Sequence, residues 1–68
     1  MKNTEKLNNL LNKLEKYNVY LYDNWTALYF MHTPTERKTR YFRNTTPNLP
    51  TIIENFAEML LKRFQKSE

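Results

Sequence analysis

The chain contains no glycine at any of its 68 positions, and this absence constrains its fold more than any other feature. Glycine adopts positive φ without steric cost, so tight turns usually depend on it. Here each turn has to be built from asparagine, aspartate or proline. Phosphate loops, dinucleotide-binding turns, nucleophile elbows and calcium loops are excluded as well, because each of them needs glycine in its backbone.

The counts of the reactive residues exclude further classes of protein. There is no cysteine, hence neither a disulfide nor a thiolate zinc site. One histidine, His32, does not suffice for a histidine-based metal cage, and one serine, Ser67, leaves no plausible Ser–His nucleophile. We therefore expect a single small domain over residues 1–68, with no metal, no cofactor and no enzymatic activity.

The charge balance is moderately basic. Eleven Lys and Arg residues stand against seven Asp and Glu, which gives a net charge of +4. This favours an anionic partner such as nucleic acid or an acidic protein surface, although it is also ordinary for a small soluble domain. No apolar run approaches the roughly 18 residues of a transmembrane helix, and the first residues do not look like a secretory signal. We expect a cytoplasmic protein without membrane contact.

The first segment with regular periodicity predicts a helix. From Leu7 to Tyr17 the apolar residues recur at helical spacing and form a stripe about 120° wide. Asn3 or Thr4 can cap its start, and Asn18 is expected to end it.

A second helix is predicted from residue 50 to about residue 65. Thr51 and Glu54 at its start match a capping box. Its apolar positions span about 200° of the helical wheel, which exceeds what a thin sheet and one narrow helix can cover. Either the small core wraps this helix on two sides, or it carries a homodimer or partner seam. The candidate seam residues are Ile52 and Met59 on one side, and Ala57 and Leu61 on the other.

Two β-like runs, residues 19–22 and 25–32, lie between the helices. The dipeptide Asp23-Asn24 separates them and predicts a two-residue hairpin loop in which Tyr22 faces Trp25. Since side chains alternate across a strand, one face is aliphatic and the other is mostly tyrosine. The aliphatic face comprises Val19, Leu21, Thr26, Leu28, Phe30 and His32. The opposite face, called the tyrosine face below, comprises Tyr20, Tyr22, Trp25, Ala27, Tyr29 and Met31.

A third strand is predicted over residues 37–43, after a turn at residues 33–36 with proline in its second position. Its register is open. If Thr33 pairs with Glu36, the tyrosine face gains Lys38, Arg40 and Phe42, whereas the aliphatic face gains Thr39 and Tyr41. A slip by one residue instead gives the tyrosine face Arg37, Thr39, Tyr41 and Arg43. We favour the first register, because the slip turns Lys38 and Arg40 toward aliphatic neighbours.

The predicted architecture is α+β, with two layers in the order α-β-β-β-α: a three-stranded antiparallel meander with both helices on its aliphatic face. This order is similar to that of double-stranded-RNA-binding domains. The start of the last helix, Pro50-Thr51-Ile52-Ile53-Glu54, lacks the lysine cluster that the family carries there. From Trp25 to Phe64 the element order is also similar to the arm-type DNA-binding domain of some integrases, whose sheet contacts DNA.

The tyrosine face is the main functional candidate. Aromatic rings on an open sheet can stack unpaired bases, and neighbouring cations can contact phosphates. The predicted binding residues are Tyr20, Tyr22, Trp25, Tyr29, Lys38 and Arg40. The first hypothesis is thus a small non-enzymatic nucleic-acid-binding accessory protein. A purely structural alternative is that the cross-strand tyrosines only stabilise the sheet.

A second hypothesis is a protein-interaction module, because exposed Trp, Tyr and Arg are also common interface hot spots. Nine asparagines, seven lysines and no glycine are typical of an AT-rich genome, such as that of a phage or mobile element. This favours an inhibitor or adaptor of a host enzyme or nucleoprotein. An enzyme that uses Glu54 with Glu58, or His32 with Glu36, is the weakest hypothesis.

Overall fold

The structure is a computed structural model that describes residues 4–66. It has two helices, α1 (Glu5–Glu15) and α2 (Leu49–Lys66), and four strands: β1 (Val19–Asp23), β2 (Ala27–His32), β3 (Arg37–Lys38) and β4 (Phe42–Arg43). The sheet is antiparallel, with β2 between β1 on one side and β3 and β4 on the other. The predicted small α+β fold is confirmed. Asn3 and Ser67 lie outside the described residues.

Helix α1 begins where its sequence predicts, but it ends at Glu15 with Lys16 as its C-cap, before the predicted stop at Asn18. Thr4 has an extended backbone and its hydroxyl oxygen accepts the Leu7 N–H at 3.0 Å, which is the geometry of an N-cap. At the other end Asn18 takes a φ of 62°, a conformation that asparagine tolerates better than most residues. The chain then enters β1 directly.

The β1–β2 hairpin has a different register from the predicted one. Tyr22 pairs with Tyr29, four residues beyond Trp25, and the loop is Trp25-Thr26. The loop moves because the Asn24 side-chain oxygen accepts the N–H groups of both Thr26 and Ala27 at 3.1 Å. Since the shift is even, every paired residue keeps its predicted face.

The predicted third strand is split in two. Its first part, β3, has the favoured register: Met31 pairs with Lys38, and the Thr39 N–H donates to the Phe30 carbonyl at 2.9 Å. Lys38 therefore lies on the tyrosine face, as predicted.

The second part, β4, is out of step with β3 by one residue, because Leu28 pairs with Phe42. Arg40 and Tyr41 together oppose the single residue Tyr29, which is the arrangement of a β-bulge. The favoured register is therefore wrong beyond Thr39. Both registers that the sequence allows occur, one on each side of the bulge.

Helix α2 begins earlier than its capping-box motif indicates. Asn48 takes a φ of 56° and its carbonyl accepts the Ile52 N–H at 3.1 Å. The helix starts at Leu49, so Thr51 lies inside its first turn and the predicted capping box is wrong. Pro50 fits this first turn, where its missing N–H is not needed.

One hydrophobic core joins α1, α2 and the sheet. The strand residues in it all lie on the aliphatic face: Val19, Leu28, Phe30 and Phe42. Phe56 of α2 stacks on Phe30 and meets Phe42 edge-on, with centroid distances of 5.8 and 5.0 Å. The placement of both helices on this one face stays a prediction, which these contacts support.

Candidate functional site

Three tyrosines, from β1, from β2 and from the bulge between β3 and β4, form a stacked ladder on the tyrosine face. The ring centroids of Tyr22 and Tyr29 are 5.5 Å apart and those of Tyr29 and Tyr41 are 4.9 Å apart, with interplanar angles of 15° and 14°. Tyr29 is thus covered on both sides. A ligand that stacks on the ladder has to use the outer side of Tyr22 or Tyr41, and Tyr41 is 53% exposed.

Tyr41 joins this ladder only because of the bulge. The register favoured from the sequence places Tyr41 on the aliphatic face, as part of the core. The alternative register already contained both Tyr41 and Arg43, so the sequence did carry the signal for them. The correction enlarges the candidate site by these two residues.

Beside the ladder runs a second row of side chains, in which Tyr20 pairs with Met31 and Met31 with Lys38. Tyr20 is 37% exposed. The Lys38 ammonium lies 5.4 Å from the centroid of the Tyr29 ring, which is a cation–π distance. This row therefore supplies one cation that is held against the ladder.

On the other side of the ladder Arg43 pairs with Ala27. Arg43 and Tyr41 line a concavity of about 590 Å³ together with Thr26 of the β1–β2 loop and with Ala27, Asn44 and Thr45. Within residues 4–66, no strand position on the tyrosine face holds a carboxylate, since Asp23 pairs with Leu28 on the opposite face. The face combines aromatic rings with two cations.

Arg40, which the sequence places beside the tyrosines, lies elsewhere. Its guanidinium carbon is 4.9 Å from the centroid of the Phe42 ring and 5.9 Å from that of Phe56. Both rings belong to the helix side of the sheet. The bulge causes this difference, because it removes Arg40 from the alternation that otherwise puts it next to Lys38.

Trp25 also leaves its predicted position and stands in the hairpin loop at the end of the sheet. Its side chain is 96% exposed. The backbone beneath it is fixed by Asn44, whose side-chain amide donates to the Trp25 carbonyl at 2.9 Å and whose N–H donates to the Thr26 carbonyl at 3.0 Å. An indole on a braced backbone can contact a ligand without ordering a loop first.

The two α2 carboxylates considered for acid–base chemistry have structural partners. Glu54 accepts a hydrogen bond from the Thr4 hydroxyl. Glu58 lies 2.9 Å from the Lys6 ammonium, and this hydrogen bond and charge lower the pKa of Glu58 and raise that of Lys6. The His32 ring nitrogen is 2.7 Å from the Thr35 hydroxyl. No group of three or more metal-ligating His, Asp or Glu side chains occurs between residues 4 and 66.

The two predicted seam sides of α2 differ in exposure. Ala57 and Leu61 are buried in the core, so they are already covered within one copy of the chain. Ile52 is half-buried and Met59 is 38% exposed. Both line a concavity of about 760 Å³ between α2 and β3.

No helix in residues 4–66 is long and apolar enough to cross a membrane.

The comparisons with known proteins identify no family for the chain. A scan against protein-family models finds no match, and searches of curated proteins and of solved structures find no significant match either. The function has to be inferred from the surface itself.

Proposed function

We propose that the chain is a small non-enzymatic nucleic-acid-binding accessory protein that binds single strands on its tyrosine face. The observation that carries this proposal is the stacked ladder of Tyr22, Tyr29 and Tyr41, flanked by Lys38 and Arg43. Aromatic stacking surfaces with adjacent cations are the general means of binding unpaired nucleic acid.

Stacking would use the most exposed rings, those of Tyr41 and Trp25. Each base stacked on an aromatic side chain contributes roughly 1–3 kcal/mol. Tyr29 has no open face and serves to position Tyr41. Because the three ladder rings already constrain one another, little side-chain entropy is lost when a base binds.

The two cations would contact different phosphates. Met31 and Ala27, which pair with Lys38 and Arg43, are four residues apart on β2, or about 13 Å. This is several times the rise per nucleotide of a stacked strand, about 3.4 Å. A strand that crosses the ladder can therefore meet Lys38 on one side and Arg43 on the other.

Intrinsic fluorescence tests this proposal directly, because Trp25 is the only tryptophan in the chain. We expect a deoxythymidine or uridine oligonucleotide of about 12 nucleotides to quench Trp25 fluorescence at low salt. Tyr41→Ala should weaken binding about 5- to 150-fold, as the loss of one stacked base implies. Lys38→Gln and Arg43→Gln should each reduce the slope of log K against log salt by about 0.7.

Lys16→Gln is the matched control, since it removes one exposed charge from the α1 end and should change neither stacking nor the phosphate contacts. The absence of both quenching and a mobility shift with DNA and RNA at low salt would rule out the proposal. An unchanged salt slope in both Lys38→Gln and Arg43→Gln would remove the assigned phosphate contacts.

The exposure of Trp25 favours a second candidate function, a protein-interaction module such as a phage or mobile-element inhibitor or adaptor of a host protein. A tryptophan that is 96% exposed is a typical interface hot spot. In this case a purified partner protein should bind even at high salt, and its binding should be lost in the Trp25→Ala or Tyr22→Ala variant. Retention of that partner by both variants would contradict this function.

A further inference from the structure

A groove runs between the edge strand β3 and helix α2, on the side of the sheet opposite the tyrosine face. Two concavities of about 760 and 390 Å³ adjoin there, and Lys38, Thr39 and Leu60 line both of them. The floor of this β3–α2 groove is apolar. It is formed mainly by Ile52, Phe56, Met59, Leu60 and Phe64.

The rim of the groove is cationic. Its cations are Arg37, Arg40 and Arg63, whereas Lys38 also lines both concavities but holds its ammonium over Tyr29 on the opposite face. No Asp or Glu lines either concavity in the part of the chain that the structure describes. The carboxylates of Glu54 and Glu58 on α2 contact α1 instead. Helix α2 thus separates its charges, with acids toward α1 and a cation toward the groove, so the groove is complementary to a ligand that is both apolar and negatively charged.

The wall of the groove is a strand with a free edge. Strand β3 pairs with β2 alone. The Thr39 N–H points toward β2, where it donates to Phe30 at 2.9 Å, so the alternation of an antiparallel ladder directs the backbone groups of Lys38 away from the sheet. A free strand edge beside an apolar groove is the arrangement in which an extended peptide adds as a further strand.

We propose that the β3–α2 groove binds an extended peptide in which acidic and large apolar side chains alternate. The apolar side chains pack on Phe56 and Met59, and the carboxylates meet the rim cations, Arg40 among them. The floor from Ile52 to Phe64 spans about 18 Å of helix, which corresponds to about five residues of extended chain. This inference is independent of nucleic-acid binding on the tyrosine face.

Fluorescence anisotropy tests the groove with a fluorescein-labelled peptide of about six alternating glutamate and leucine residues and the full chain. We expect binding that Met59→Asp weakens at least tenfold, because it puts a carboxylate on the apolar floor. Arg40→Gln should weaken it severalfold, whereas the control Lys62→Gln, an exposed residue outside the groove, should leave it unchanged. The thermal midpoint of each variant shows that it is folded.

Four results would overturn the proposal. Two concern the peptide: the glutamate peptide does not bind, or a peptide with lysine in place of glutamate binds equally well. The other two are displacement of the bound peptide by a deoxythymidine oligonucleotide, and a dimer of the chain, seen by sedimentation, that Met59→Asp dissociates. The oligonucleotide result would make the groove part of a nucleic-acid surface, and the dimer would make a second copy its occupant. Trp25→Ala should leave peptide binding unchanged, so failure of one proposal is distinguishable from failure of the other.

Discussion

At the scale of single residues, three positions within residues 4–66 have a positive φ that glycine would usually supply: Asn18 at 62°, Glu36 at 56° and Asn48 at 56°. Two of these are asparagine, which tolerates the left-handed region through local hydrogen bonds of its side chain. Glu36, the last residue of the β2–β3 turn, lacks that advantage. It is therefore the position at which the absence of glycine costs most.

We predict that Glu36→Gly stabilises the chain. Left-handed backbone costs a residue other than glycine about 1–2 kcal/mol, whereas glycine adds about 0.5–1 kcal/mol of backbone entropy to be lost on folding. The net gain should be up to about 1.5 kcal/mol in the free energy of unfolding, measured by urea titration. Glu36→Ala is the control: alanine removes the same side chain but keeps the Cβ atom that disfavours positive φ, so it should not gain this stability. A loss of stability in both variants would show that Glu36 is not strained.

At the scale of elements, the bulge between β3 and β4 determines which residues share the tyrosine face. Thr39 holds it in place, since its hydroxyl oxygen accepts the Phe30 N–H at 3.0 Å and its hydroxyl lies 3.3 Å from the Arg40 carbonyl, to which it donates. The Thr39 hydroxyl thus replaces the backbone carbonyl that would accept this N–H in a regular antiparallel strand pair. Beyond it, Tyr41 turns to the tyrosine face and Phe42 to the core.

Replacing Thr39 should therefore weaken the sheet through this hydrogen bond. Thr39→Val keeps the shape of the side chain but removes the acceptor, so the part-buried Phe30 N–H loses its partner, at about 1–3 kcal/mol. Thr39→Ser keeps the hydroxyl and should retain most of the stability. Urea unfolding of the two variants gives the comparison. Equal destabilisation by Val and Ser would mean that packing of the methyl group, and not the hydrogen bond, matters here.

The faces of β1 and β2 could be predicted from the sequence, because alternation alone assigns them and an even change of register leaves them intact. The hairpin loop could not. Its position depends on the Asn24 side chain and on hydrogen bonds from Asn44, which is 19 residues from Trp25. A search for residues that tolerate positive φ finds Asp23-Asn24 but cannot detect this distant clamp.

The bulge could not be predicted for a similar reason. Beyond the bulge Phe42 packs against Phe56 of α2, and this contact joins elements that are separate in the sequence. Tertiary contacts also decide the partner of Glu54. Its carboxylate accepts a hydrogen bond from Thr4, the N-cap residue of α1, whereas the local capping-box motif predicts a partnership with Thr51. The predicted face is therefore confirmed for the strand tyrosines and for Lys38 but wrong for Arg40, and the role of these residues in binding stays a prediction.

At the scale of the whole molecule, charge is divided among three surfaces. The tyrosine face and the β3–α2 groove carry cations, while the acids of α2 meet α1. One 2.9 Å ion pair, Lys6 with Glu58, joins the two helices. A domain of this size has a total stability of roughly 3–10 kcal/mol, so even a weak link between helices is measurable in its dependence on pH and salt.

The Lys6–Glu58 pair sets the sign of that dependence. The hydrogen bond and charge of Lys6 lower the pKa of Glu58 from its ordinary value of 4.5, so the stabilisation is complete above pH 4.5 and is lost as the pH falls through the lowered value. Conversely, Glu58 raises the pKa of Lys6 from 10.5. That contribution is complete below pH 10.5 and is lost as the pH rises through the raised value.

We predict that Glu58→Gln lowers stability slightly at neutral pH and that the difference from the unmodified chain vanishes in acid. Because the Lys6 and Glu58 side chains are 60% and 37% exposed, the difference should also shrink at about 1 M salt, where the screening length is about 3 Å. Urea midpoints from neutral to acid pH, at low and high salt, measure this, with Glu15→Gln as the control on α1. A difference that persists unchanged below pH 4.5 and at high salt would show that Glu58 joins the helices by packing rather than by charge.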